Sequence, residues 1–145
     1  AERLCEQMDS IREVHGVKQS GYGGLGKKHH FLLAGDFNDY SGDAALTFIE
    51  SNGMTEISKG AVGLYDKKCR GTYYFDGEWN SLDHIFASSD ILTYSIGCHV
   101  NDNPVLLEPN DYGDLVPKRS FRGYRYNHGF SDHLPLVARF KIDAK

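Results

Sequence analysis

His30-Phe31-Leu32-Leu33-Ala34-Gly35-Asp36-Phe37-Asn38 is the stretch on which the fold turns. Its first five residues read as a continuous apolar run and predict a strand over 30–34, buried on both faces. Gly35 leaves space for a ligand or another backbone. Asp36 and Asn38, two apart, project to the same side if the extended geometry continues. A carboxylate beside an amide can hold an attacking water and a phosphate oxygen together. The same pair also suits an Asx-rich turn capping the next helix.

Two distant stretches deliver similar groups at strand ends: Ser81-Leu82-Asp83-His84-Ile85 and Ser131-Asp132-His133-Leu134-Pro135. Adjacent strand residues face opposite ways, so Asp83 enters a pocket while His84 packs or meets solvent on the other face. A hydrogen-bonded structural acid is the competing reading for Asp83. His133 can donate to a phosphate oxygen or exchange a proton once an acid orients its ring. Asp83 is the candidate orienting acid, because Asp132 neighbours His133 and should point elsewhere. Asp132 can instead bind a metal directly or through water, or the segment can be a polar turn before a strand. Only folding can bring the three stretches together, and Asp, Asn and His in one place suit a hard divalent cation and a phosphate. A Ser-His-Asp hydrolase using Ser131 or Ser81 is the competitor, but the chain has no Gly-x-Ser-x-Gly elbow. Arg122 and His128 are read as pocket-lining residues, and His15, His29, His30 and His99 as surface or packing residues.

Around these stretches the pattern predicts one α/β unit of the α+β kind. Leu4, Cys5, Met8, Ile11 and Val14 form a helical stripe within 1–15, with Gly16 as the stop. Residues 19–28 hold four glycines and read as a connector, without the Lys-Ser/Thr ending of a phosphate-binding loop. A helix is expected over 43–51, ended by Gly53. Strands are expected over 72–75 and 79–87, joined at Asp76-Gly77, with Asp83 near the middle or end of the second. Another strand is expected over 92–100. Residues 101–128 contain Pro104, Pro109 and Pro117 and read as a long loop with few elements. The alternation over 136–142 predicts a half-buried last strand.

The 145 residues fit a single domain, 1–145, with an ordinary soluble composition of 40% hydrophobic and 25% charged residues. A net charge of −4 disfavours a broad nucleic-acid-binding face. Cys5, Cys69 and Cys98 contain no Cys-x-x-Cys pair, so they read as independent thiols rather than a zinc site or disulfide scaffold. No apolar stretch is long enough to span a membrane, and no signal-peptide pattern opens the chain. The compartment is not legible from these features.

Taken in order, the three segments resemble the signature of the endonuclease/exonuclease/phosphatase superfamily, with its DNase I-like fold. Gly35-Asp36-Phe37-Asn38 is similar to its Gly-Asp-x-Asn motif, Asp83 to its strand aspartate, and Ser131-Asp132-His133 to its closing Ser-Asp-His motif. The run from Tyr112 to Pro135 is similar to bacterial members, which leaves a secreted or periplasmic location open. The resemblance implies that Asp36 orients or deprotonates the attacking water and that Asn38 helps hold it or the phosphate. It implies that Asp83 pairs with His133 at the scissile phosphate and that Asp132 helps bind Mg²⁺ or Mn²⁺. Substrates of such proteins include nucleic acid, phosphoinositides, sphingomyelin and sugar phosphates.

The superfamily pattern also needs a strand Asn, a metal-binding Glu and a further His ahead of Gly-Asp-x-Asn. The 34 residues before Gly35 show none of these in strand context. The resemblance therefore implies the C-terminal half of a four-layer α/β sandwich, with one mixed, mainly antiparallel sheet and flanking helices. The N-terminal half would be absent and the isolated chain inactive. Its exposed sheet face would then meet the missing half or a second copy. The alternative is a non-catalytic interaction domain that keeps the fold and binds through the Tyr-rich residues 101–128.

Overall fold

The computed structural model describes residues 1–16 and 30–141, with side chains for all of these except 12–16. The connector expected over 19–28 lies outside the described residues, as does Ile142. Helix α1 (Glu2–Gly16) stops at the expected glycine. Its Cys5 and Met8 are buried and Leu4 is partly so, whereas Ile11 is exposed and falls outside the packed stripe. Strand β1 (Leu32–Asp36) leads to α2 (Ala44–Ser51), and Gly53, at φ 85°, turns the chain into β2 (Met54–Glu56). The Asp43 carboxylate accepts from the Tyr40 N–H at 2.8 Å, closing the turn before α2.

Strand β3 (Tyr73–Phe75) pairs with β4 (Glu78–Asn80) across Asp76-Gly77, both at positive φ. That is the backbone a tight two-residue hairpin turn demands. The chain then breaks at Ser81-Leu82 and starts afresh as β5 (Asp83–Ser88). One strand expected over 79–87 is thus two, and Asp83 opens the second rather than sitting at its middle or end. The physical reason is a change of partner: Asn80 still pairs with Tyr73, whereas Asp83 pairs with Asp36. A short helix, α3 (Ser89–Leu92), precedes β6 (Ser95–Val100), so the strand expected from 92 starts later.

Residues 101–128 hold more structure than a loop. A 3₁₀ turn at Pro104–Leu106 is followed by the hairpin β7 (Leu107–Pro109)/β8 (Leu115–Pro117). A second hairpin pairs β9 (Phe121–Arg122) with β10 (Arg125–Tyr126) through Gly123-Tyr124. Gly123 sits at φ 58°, and Gly-X between two β-forming pairs is a hairpin signal that the sequence does contain. Strand β11 (Leu136–Phe140) closes the fold against β6.

Every strand ladder is antiparallel, consistent with an α+β fold; the one parallel contact is an isolated bridge from Gly63 to Val100. The expected single sheet is divided among the described residues. The order β1-β5-β2 makes one sheet, while β6/β11, β3/β4, β7/β8 and β9/β10 are separate pairs. The register slip between Arg139 and Phe140, and Pro135, which has no N–H to offer, interrupt the ladder around β11.

The sheet's inner face meets the helices through Met8, Leu46, Ile49, Met54 and Phe86. Leu46, Ile49 and Phe86 are almost fully buried, each stabilising the fold by about 1.5–3 kcal/mol. A second cluster of Cys69, Val100 and Leu134 holds β6 to the segment ahead of β11. Strand β1 is not buried on both faces: Leu33 packs inward, but Leu32 is 52% exposed. It is an edge strand, paired with β5 alone.

Candidate active site

Antiparallel pairing brings the end of β1 beside the start of β5. Asp36 stands directly opposite Asp83, and Ala34 opposite Ile85. Directly paired residues share a face of the sheet, so the two carboxylates project together, away from the helices. The strand ends at Asp36, and the extended geometry assumed for Asn38 does not continue. Asn38 turns at φ 51°, and its N–H donates to Asp36 Oδ1 at 2.9 Å. The Asx turn and the strand-end carboxylate are therefore the same feature. The Phe37 N–H donates to the Leu82 carbonyl at 2.9 Å, tying this turn to the segment ahead of Asp83.

The third segment is carried by β3 rather than by β11. The Leu134 N–H donates to the Thr72 carbonyl at 2.7 Å, and His133 bridges to Tyr73. His133 Nδ1 lies 2.7 Å from Asp83 Oδ2, and the Thr72 hydroxyl donates to that same oxygen. The carboxylate can only accept when ionised, so the pairing places a proton on Nδ1 and leaves Nε2 as the ring nitrogen for a ligand. Tyr73 stacks on the imidazole at 4.8 Å, and the Arg119 guanidinium lies 5.4 Å from the Tyr73 ring centroid. Ser131 Oγ accepts from the His133 N–H at 3.1 Å, which bends the chain locally; it is no poised nucleophile. Ala34, Gly35, Asp83, Ile85, Ser131 and His133 are among the residues lining a cleft of about 340 Å³.

His84 points the other way, into the core. Its ring is 1% exposed, with Nδ1 at 2.8 Å from Glu56 Oε1 and Nε2 at 2.8 Å from the Asp39 carbonyl oxygen. That carbonyl only accepts, so Nε2 carries a proton. The Ser41 hydroxyl donates to Glu56 Oε1 at 2.8 Å. Beneath the site, this buried pair grips the turn that carries Asp36 and Asn38.

A family model described as the endonuclease/exonuclease/phosphatase family matches residues 25–141. The chain belongs to that family. No curated protein and no solved structure matches it. The matched span contains all three segments and every residue of the Asp83–His133 cleft.

The family's remaining candidate groups lie elsewhere. Asp132 is exposed and lines a neighbouring depression of about 320 Å³ with Arg119, Phe121, Phe130 and Ser131. Arg122 and His128 do share a pocket, but a third one, of about 410 Å³, with Arg125, Tyr126 and Asn127. They are set apart from the cleft because the β9/β10 hairpin carries them outward. His30 pairs with Asp90 at 2.7 Å, and Ser81 donates to the Arg70 carbonyl at 3.0 Å.

Among the described residues no group of three or more His, Cys, Asp or Glu side chains stands ready to hold a metal. The three cysteines are unpaired. Burial pushes the Cys69 thiol up to about 11. Sequence reasoning missed Thr72, Tyr73, Arg119 and Glu56. Each acts across long sequence separations, and only the alternation around Glu56, in a short strand, hinted at an inward-facing acid.

Proposed function

We propose that this chain carries part of the active site of a divalent-metal-dependent phosphoester hydrolase. The observation that supports this reading best is His133 held by Asp83, with Thr72 as a second donor to the same carboxylate and Asp36 directly across the ladder. His133 Nε2 contacts an oxygen of the scissile phosphate, oriented by Asp83 through Nδ1. Asp36, at the strand end, positions the attacking water, and Asn38 holds the water or a phosphate oxygen beside it. The ring cannot swing away, because Tyr73 covers one side of it.

Asp132, exposed at the rim, would help hold Mg²⁺ or Mn²⁺, hard cations that accept one or two carboxylates completed by water and substrate oxygens. When bound, the ion stabilises charge developing on the phosphoryl oxygens. The absence of a third ligating side chain among the described residues supports the further proposal that the isolated 145 residues are inactive. The face bearing Asp36 and Asp83 continues through Ala34, Leu32 and Ile85. With Leu32 half exposed, this surface suits cover by a further half-domain or a second copy, which would complete the ligand set.

A magnesium and inorganic-phosphate titration followed by NMR tests the reading. Perturbation of Asp36, Asp132 and the His133 ring supports it. Unmoved resonances at tens of millimolar would favour the non-catalytic binding module, which would use the exposed Tyr112 and Tyr124.

A further inference from the structure

We propose that the β9/β10 hairpin and its base form a platform for a single-stranded oligonucleotide, running from the Arg122–His128 pocket towards the Asp83–His133 cleft. The proposal deepens the hydrolase reading and rests on it for its purpose, naming the substrate class that the site would receive.

Charge gives the first argument. Between Asp114 and Asp132 the chain carries Lys118, Arg119, Arg122 and Arg125 and no acidic residue, in a protein whose net charge is −4. The cationic character is thus concentrated in one hairpin beside the candidate active site, where a phosphodiester backbone would be neutralised. Two acids face it: Glu108, which pairs with Arg122 at 3.1 Å and accepts from Asn127, and Asp132 at the other end. Arg119 is also aimed towards the chemistry, over the ring that stacks on His133.

The aromatic side chains give the second. Phe121, Tyr126 and Phe130 are all more than half exposed, and Tyr124 at the tip is fully so. Phe121 and Tyr126 lie 5.4 Å apart, and Tyr126 meets His128 edge-on at 4.6 Å. Exposed rings interleaved with arginines stack on unpaired bases while the cations follow the phosphates. A duplex buries its base faces and cannot use them.

Shape gives the third. The pocket at Arg125 and Tyr126 and the depression at Arg119, Phe121 and Asp132 are both on the hairpin or its base. The depression and the catalytic cleft share Ser131. Concave, hydrogen-bonding sites in series fit nucleotides. A lipid surface would instead favour an aliphatic or tryptophan tip, and here the tip is Gly123-Tyr124.

The test is fluorescence anisotropy of labelled dT12 and rU12 with the 145-residue chain, without metal, against a 12-bp duplex and phosphatidylserine vesicles. Binding of either single strand at least tenfold tighter than the duplex is expected. Tyr126→Ala should weaken it about five- to a hundredfold, as loss of a base-stacking ring does. Arg125→Ala should reduce the steepness of the salt dependence by about 0.7 in log–log slope. Both side chains are exposed, and circular dichroism melting checks that the variants fold. His133→Ala should bind as the wild type does, so failure of the platform is read separately from failure of the hydrolase assignment. Equal affinity for duplex, binding only to vesicles, no binding to any probe, or unchanged affinity in Tyr126→Ala would each overturn the proposal.

Discussion

Replacing His84 by alanine should destabilise the fold by roughly 3–5 kcal/mol, the cost of stripping a buried ion pair of one partner. Both side chains of the His84–Glu56 pair are 1% exposed, so water cannot take the place of the lost imidazole. The Ser41 and Ser58 hydroxyls remain, but both bond Glu56 Oε1, and Oε2 is already without a partner among the described residues. The Asp39 carbonyl loses its donor at the same time. Against a total stability of about 5–15 kcal/mol for a domain, this is a large fraction.

Urea unfolding followed by the single tryptophan, Trp79, which packs against the second core cluster, measures the loss. Glu56→Ala should cost a similar amount. The double variant should cost clearly less than the sum, because the second change removes the stranded charge. Amides of residues 37–40 should exchange with solvent faster in His84→Ala, since the grip on their turn is gone. A cost below about 1 kcal/mol, or additive single variants, would refute the view that the pair is coupled and clamps the Asp36 turn.

Two further outcomes follow from the close approach at Gly129 and from the burial of Cys69. A Cβ at Gly129 would lie 2.1 Å from the Lys118 carbonyl oxygen and 2.2 Å from that of Arg119. Gly129→Ala should therefore pry open the hairpin base, costing about 1–3 kcal/mol and exposing the Phe130 N–H now bonded to Lys118; a neutral result in urea unfolding together with unchanged Phe130 exchange would contradict this. Cys69 keeps its proton in the fold up to about 11, whereas the unfolded thiol loses it near its ordinary value of 9.0. Its stabilising contribution is complete below pH 9 and is lost as pH rises through 11. The stability difference between wild type and Cys69→Ala should shrink across that window, and a flat difference would refute it.

Local signals were legible wherever they act within one turn or one hairpin. The helix at 44–51, its stop at Gly53 and the Asp76-Gly77 turn are all set by residues a few positions apart. The start of β5 was not legible, because Trp79 and Asp83 belong to one β-prone run and differ only in which distant strand each pairs with. Arg122 and His128 were placed with the cleft by their nearness in sequence to Ser131. A tight hairpin instead turns them into a pocket of their own.

By itself, then, the sequence determined that this chain is an α+β member of a phosphoesterase-related family and named Asp36, Asp83 and His133 as groups at strand ends. Only the tertiary structure decided their relation. The antiparallel register sets Asp36 opposite Asp83, the edge of β3 delivers His133 to the Asp83 carboxylate, and Glu56 meets His84 beneath them. The reason is the range of the forces. Propensity and turn geometry act between chain neighbours, whereas register and burial are settled by packing among residues tens of positions apart.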